Sequence, residues 1–397
     1  MMKKVFCLGL VMLICANTFS QKISFSNATE TNLPEISKKP RNSMDAKVGD
    51  IDNDGDLDIV VAVEFVKNIV LINDGMGKFS DESFRLPDIE AEQTAKPYPY
   101  YPYHDTEDIA LKDFDNDGDL DLIFVTEDDQ VNEFYLNNGG GHFLDRTAEL
   151  PATGVSNGVL AEDFDGDGWI DVIIGNNGQN IYLKNQEGKF VEETSLHIPL
   201  VDDITQDLQS IDFDKDGDLD VIVANEKANR FFINDGYGKF TDVTADFFDD
   251  NVITDETREA TFADVDGDGD FDIYFANVYM FQQVEPIQRL MINNGNDQKF
   301  SDETELRLGF TKDYSIIDGT FSDLDGDSDL DLVLLTHLGP KLFENDGKGY
   351  FTDITSASFG DIKGDGVDTE VADFNGDGKP DIFIGCFRAS DILLIQN

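Results

Sequence analysis

Apolar and polar positions follow one order that recurs about every 50 residues between Gln21 and Asn397. Each round opens on a short alternating stretch, such as Val159 to Glu162 or Ala260 to Ala263, and then crosses an acidic loop. Beyond the loop comes a nearly unbroken apolar run, as in Leu57-Asp58-Ile59-Val60-Val61-Ala62-Val63 or Asp220-Val221-Ile222-Val223-Ala224. Period-two alternation predicts a strand with one solvated face, and an unbroken run of this length predicts a strand covered on both. A third apolar stretch ends in Asn73-Asp74-Gly75-Met76-Gly77-Lys78, Asn234-Asp235-Gly236-Tyr237-Gly238-Lys239 or Asn345-Asp346-Gly347-Lys348-Gly349, which supply the positive φ of a hairpin turn. A fourth strand places Phe, an acid and Ser or Thr at alternate positions: Phe79 to Ser83, Phe143 to Thr147, Phe190 to Thr194, Phe240 to Thr244, Phe300 to Thr304 and Phe351 to Thr355.

Four antiparallel strands per round, in seven rounds, predict an all-β fold, a seven-bladed β-propeller forming one domain over residues 21–397. The seventh round stops at Leu393-Leu394-Ile395-Gln396-Asn397, before any hairpin or fourth strand. The missing strand is at the other end of the chain, where Phe25-Ser26-Asn27-Ala28-Thr29 fits the same pattern with Asn for the acid. The N-terminal strand is therefore expected to complete the last blade, which closes the ring and removes an exposed sheet edge.

The acidic loops are nine residues long. Oxygen-bearing side chains stand at positions 1, 3, 5 and 9: Asp50, Asp52, Asp54 and Asp58; Asp113, Asp115, Asp117 and Asp121; Asp163, Asp165, Asp167 and Asp171; Asp212, Asp214, Asp216 and Asp220; Asp264, Asp266, Asp268 and Asp272; Asp323, Asp325, Asp327 and Asp331; Asp373, Asn375, Asp377 and Asp381. A turn through glycine at position 6 folds alternate side chains onto one centre, the arrangement a hard divalent cation such as Ca²⁺ requires. An ordinary structural turn would not bring four carboxylates together, because their mutual repulsion opposes it. An EF-hand also begins D-x-D-x-D-G, but it needs a Glu at position 12 and flanking helices, whereas here Asp closes the loop at position 9 between strands.

Composition narrows the partners. The formal charge of -53 argues against nucleic acid or an anionic membrane, and 40% hydrophobic residues with 31 Phe provide a core that a disordered acidic chain would lack. Residues 1–20 read as a cleaved signal peptide, with Lys3-Lys4, the apolar run Val5 to Ala16 and then Thr18-Phe19-Ser20. A secreted or periplasmic monomer without a transmembrane segment is expected, and a lipid-modified Cys15 is disfavoured by the bulky Ile14 before it. Cleavage leaves Cys386 as the last cysteine, so no internal disulfide is expected.

With these repeats the sequence resembles the FG-GAP/VCBS family, whose relatives include the calcium-binding propellers of integrin α-subunits. The resemblance implies up to seven structural Ca²⁺ ions, each held between the first and second strands of a blade on the lower face. It implies the position 1, 3, 5 and 9 side chains as ligands together with the backbone carbonyl at position 7, a role that tolerates Trp169 and Lys379. The sixth and seventh loops are expected to bind most weakly, because Ser328 replaces the turn glycine, Asn375 is neutral and Lys379 is positive.

Metal binding of this kind stabilises a fold without defining a function. Extra residues concentrate in Phe84 to Asp105 and Asn277 to Gln288, connections expected on the upper face. Tyr98, Tyr100, Tyr101 and Tyr103 among prolines, with Tyr279 and Phe281, form a candidate platform for a glycan or protein ligand, unless they only pack on a neighbouring blade. Five residues before each loop stand Asp45, Asp108, Gly158, Asp207, Glu259, Asp318 and Asp368. These acids are expected at the start of the strand nearest the axis, where they either form a ligand-binding carboxylate ring or serve locally, each capping local backbone N–H groups or pairing with a neighbouring blade.

A non-enzymatic binding module is the leading reading, and a purely structural scaffold is compatible with the same sequence. A polysaccharide lyase or other carbohydrate-active enzyme is the alternative; the catalytic set that can be assembled for it is His104, Tyr103, His337 and Arg388. His142 falls in a hairpin, and His197 in a connection with no evident partner. No nucleophile elbow, phosphate loop, zinc motif or dinucleotide fingerprint occurs.

Overall fold

Strands with the unbroken apolar runs are buried along their whole length. Asp58–Val63, Asp121–Thr126, Asp220–Asn225, Asp272–Asn277 and Asp331–Thr336 have every residue buried. The cause is that an apolar layer lies on each face of the sheet. One layer joins Ile123 and Val125 to Val172 and Ile174, and the next joins Ile173 and Tyr182 to Val221 and Val223. Consecutive sheets therefore share their cores face to face. A further layer joins Phe374, Phe383 and Leu393 to Ile59, Val61 and Leu71, so the last repeat packs on the first.

The computed structural model describes residues 22–88, 103–127, 130–249, 254–280, 286–295, 299–310 and 315–397. Residues 1–20, expected from the sequence to be a signal peptide, and Tyr98, Tyr100, Tyr101 and Phe281 lie outside them. The fold is all-β, made of four-stranded antiparallel repeats of β-propeller type. One repeat comprises Asp203–Ile211, Asp220–Asn225, Arg230–Asn234 and Phe240–Asp242, paired with Leu208 opposite Val223, Val221 opposite Phe232, and Ile233 opposite Thr241. In the last repeat, Gly366–Ala372, Asp381–Ala389 and Ile392–Gln396 are followed in the sheet by Phe25–Asn27, with Phe25 opposite Gln396 and Asn27 opposite Leu394.

Fourth strands are shorter than the sequence pattern suggests. They end at the acid, as in Phe79–Asp81 and Phe190–Glu192, and the following Ser or Thr begins a helical turn. The Thr194 hydroxyl accepts the Tyr182 N–H at 3.0 Å, and Ser83 and Thr304 do the same for Val70 and Leu290. This bond takes the residue out of the ladder and turns the chain. No helix among the described residues is long and apolar enough to cross a membrane.

Candidate functional site

Each acidic loop is folded by its own carboxylates. Asp50 accepts the N–H groups of Asp54 and Gly55 at 3.0 Å, and Asp54 accepts that of Asp56 at 3.0 Å; Asp113 and Asp117 repeat the pattern. Position 6 is left-handed in every loop, including Ser328 at φ 79°, so that serine bears the expected backbone strain. Position 4 is left-handed too, at Asn53, Asn116, Gly166, Lys215, Gly267, Gly326 and Gly376, a second requirement whose Asn and Gly signal was present in the sequence.

The position 9 carboxylates are buried and tie the loop to the second and third strands. Asp58 accepts the Ile51 N–H at 3.1 Å on one oxygen and the Asn73 N–H at 2.9 Å on the other; Asp121, Asp220, Asp272, Asp331 and Asp381 are held alike. Burial pushes Asp58, Asp121 and Asp220 up to about 7. Carboxylate oxygens of Asp50, Asp52 and Asp58, and those of Asp113, Asp115 and Asp121, lie within 4.8 Å of one another, as do those of Asp163, Asp165 and Asp167 and of Asp212, Asp214 and Asp216. Buried Oδ1 atoms of Asp52, Asp115, Asp212 and Asp266 have no hydrogen-bond donor. The clusters whose oxygens lack donors could hold a metal, because hard, mutually repelling oxygens of that kind fit a divalent cation.

Two positive side chains near the loops behave differently from what their sequence positions suggest. Lys379 reaches away from the seventh loop to the Asn397 carbonyl at 2.6 Å. Lys184, from the third strand Ile181–Asn185, enters the third loop, contacting Asp165, Asp167 at 2.8 Å and Asp171 at 3.6 Å. His197, expected to lack a partner, stacks on Tyr182 at 4.2 Å and places Nδ1 2.7 Å from the Gly238 carbonyl.

The axial acids sit at a β-bulge and not at the start of the strand. In every repeat the register slips just before this position, between Ser43 and Asp45, Thr106 and Asp108, Thr205 and Asp207, Thr257 and Glu259, and so on through the chain. Asp45, Asp108, Asp207, Glu259 and Asp368 line one cavity of about 270 Å³ together with Lys47 and Arg258; Asp318 is buried on the same set of strands. Asp45 accepts the Ile109 N–H, Asp108 that of Val159, Asp207 that of Ala260 and Asp368 that of Ala46, at 2.7 to 3.1 Å. Each bond crosses to the inner strand of the next repeat, so these acids tie repeats together. Gly158 breaks the series because a Cβ there would stand 3.1 Å from the Gln206 carbonyl.

Burial pushes Asp207 up to about 7 and Asp45 to about 8, the latter opposed by Lys47 at 2.6 Å. A carboxyl raised by folding binds its proton more tightly in the folded chain. Its contribution is therefore complete below the ordinary Asp range and is lost as pH rises through about 7. Asp207→Asn keeps an oxygen for Ala260 but removes the titration. The wild-type melting temperature should fall relative to this variant between pH 5 and 8; parallel curves would refute the assignment.

Of the four residues of the enzymatic alternative, Tyr103 and His104 line one small pocket, and His337 and Arg388 are not among its lining residues. His104 is buried with Nε2 3.5 Å from Glu133, and the Tyr103 hydroxyl donates to Asp88 at 2.7 Å. His337 is exposed in a turn of another repeat, and Arg388 lies over the neighbouring Phe387 ring at 4.7 Å. Of the platform residues, Tyr279 is exposed beside exposed Met280.

The FG-GAP-like repeat family matches residues 113–174, 163–223, 212–275 and 323–384, together more than half of the chain. Cartilage acidic protein 1 of Xenopus tropicalis is 23% identical over 409 residues, covering 91% of this chain; the chain spans 60% of that protein's length. A solved Agrocybe aegerita lectin, described for its recognition of non-reducing terminal N-acetylglucosamine, superposes with a TM-score of 0.50 at 20% identity over 82% of this chain and 84% of its own. The extracellular domain of the one-component system BT4673 from B. thetaiotaomicron gives a TM-score of 0.53 at 12% identity over 94% and 39%. At these identities the structural likeness is one of fold.

Proposed function

The chain belongs to the FG-GAP-like repeat family, and from that premise we propose that it is an exported, calcium-stabilised, seven-bladed β-propeller that binds a protein or glycan ligand without catalysis. The buried, donor-less oxygens of the acidic loops support Ca²⁺ as the stabilising ion. Pairing of Phe25–Asn27 with Ile392–Gln396 supports closure of the ring by the N-terminal strand. Export rests on the character of residues 1–20.

The binding role is carried by one observation. In an antiparallel repeat the first-to-second loop lies at one end, and the second-to-third connection at the other. Exposed Val66, Tyr279, Met280 and Leu338 stand on second-to-third connections, away from the acidic loops, whereas exposed Met76, Tyr237 and Tyr350 stand on the third-to-fourth hairpins at the acidic-loop end. Apolar and aromatic groups displayed on that face suit stacking against a sugar ring or an apolar peptide side chain. Recognition of N-acetylglucosamine by the lectin of similar fold makes glycans the first class to test.

On a glycan array the calcium-loaded protein should bind a defined glycan subset, and Tyr279→Ala should weaken that binding by about tenfold or more with an unchanged melting temperature. A fall in melting temperature with binding retained would reduce Tyr279 to a packing role. Release of unsaturated uronate products in an absorbance assay would instead favour the lyase alternative.

A further inference from the structure

We propose that the Lys184 ammonium is the resident cation of the third acidic loop, so that this loop takes no calcium. The inference rests on the reading of the other loops as calcium sites and concerns the one loop whose surroundings do not fit that ion.

Lys184 immediately precedes Asn185, whose N–H is donated to the position 9 carboxylate Asp171 at 2.7 Å. The residues at the same place in the other repeats are Ile72, Leu136, Ile233, Ile292, Glu344 and Ile395, none of them a cation. Only in the third repeat can a side chain from this strand deliver positive charge to the loop. Its Nζ bonds Asp165 and Asp167 and stands 3.6 Å from Asp171, three of the four carboxylates that the calcium reading assigns to the ion. Arg85 and Arg307 also approach acidic loops, but each meets a single loop carboxylate, Asp52 or Asp266, at 3.1 Å, and turns its Nε to Glu82 or Glu303 outside the loop.

A second substitution acts in the same direction. Three residues before Asn185 stands Tyr182, where the other repeats have Val70, Phe134, Phe231, Leu290, Leu342 and Leu393. Its hydroxyl donates to Oδ2 of Asp171 at 2.5 Å, the oxygen that the other six position 9 residues direct to the position 2 N–H. Hydroxyl and ammonium together supply donors to the third loop. Among the described residues, buried carboxylate oxygens lacking any donor occur in the first, second, fourth, fifth and sixth loops; none occurs in the third, or in the seventh, where Asn375 replaces one carboxylate.

The chemistry of the exchange is simple. Lys offers a compact point charge with three donors, while calcium demands six to eight oxygens and cannot share its centre with an ammonium. The internal cation needs no free calcium, so the third repeat keeps its staple when the metal is removed. Exclusion of calcium here leaves at most the other loops to take it.

Equilibrium dialysis with calcium distinguishes the cases. The pair Asp163→Asn with Asp165→Asn should leave the number of bound ions unchanged, whereas Asp113→Asn with Asp115→Asn in the second loop should lower it by one. Lys184→Ile, which installs the residue of the first and fourth repeats, should add one ion. Trp169 is the single tryptophan of the chain and belongs to the third loop, so terbium emission sensitised by it should rise in the Lys184→Ile protein over the wild type. A loss of one ion from the Asp163/Asp165 pair would overturn the proposal, even if Lys184→Ile fails to fold. Absence of calcium from every loop would overturn the calcium reading and this proposal with it.

Discussion

Removing calcium should lower the melting temperature by roughly 10–15 °C, with calcium restoring it and magnesium failing to. If each loop binds at about 0.1 mM and free calcium is about 2 mM, one site contributes roughly 1.8 kcal/mol. Several such sites contribute on the order of 10 kcal/mol, comparable with the whole stability of an ordinary domain. The structure indicates why the loss is so large. Asp58 and its counterparts are buried where the loop meets the second and third strands, and Asp52 Oδ1 and Asp115 Oδ1 are buried without donors. Without a cation these groups repel across a few ångströms, inside the loops that set the ends of the first two strands. Magnesium, which prefers six ligands at short distance and sheds water reluctantly, suits a wide carboxylate cage poorly. A melting curve indifferent to chelator would falsify the calcium reading.

What the sequence disclosed depended on whether the responsible interaction was local. Second strands such as Asp58–Val63 were legible because burial on both faces leaves a continuous apolar run. The loops were legible because their turns are built by side chains two to five residues apart, as with Asp50 and Gly55. Fourth strands were overextended because Thr194 bonds back to Tyr182 twelve residues earlier, which alternation does not signal. Lys184 was passed over for a similar reason. As one charged residue in a half-apolar strand it reads as solvent-facing, and its partners lie 13 to 19 residues earlier in a loop that folds back on it. Lys47 likewise carries no local signal of its partners: the bulge at Asp45 aims it into a cluster with Asp108 and Glu370, which lie far from it in sequence.

Deleting Gln21 to Thr31 should destabilise the protein by on the order of 5 kcal/mol or more and shift it from monomer to aggregate. Ile23 and Phe25 are buried, with the Phe25 ring 5.4 Å from Phe359, and their removal forfeits roughly 3–6 kcal/mol of apolar burial. Hydrogen bonds go too: Ala28 N–H to the Leu393 carbonyl at 2.8 Å, Asn397 N–H to the Ser24 carbonyl at 2.9 Å, and Leu393 N–H to the Thr29 side-chain hydroxyl at 3.0 Å. The strand Ile392–Gln396 would then present unpaired N–H and C=O groups beside an apolar face, a template for pairing with another chain. Because the lesion is a missing strand, a peptide spanning residues 21–33 added in trans should recover the monomer and part of the lost stability. A truncated chain that stays monomeric and melts at the wild-type temperature would show that the last sheet holds without its N-terminal strand, and that the ring is not closed in this way.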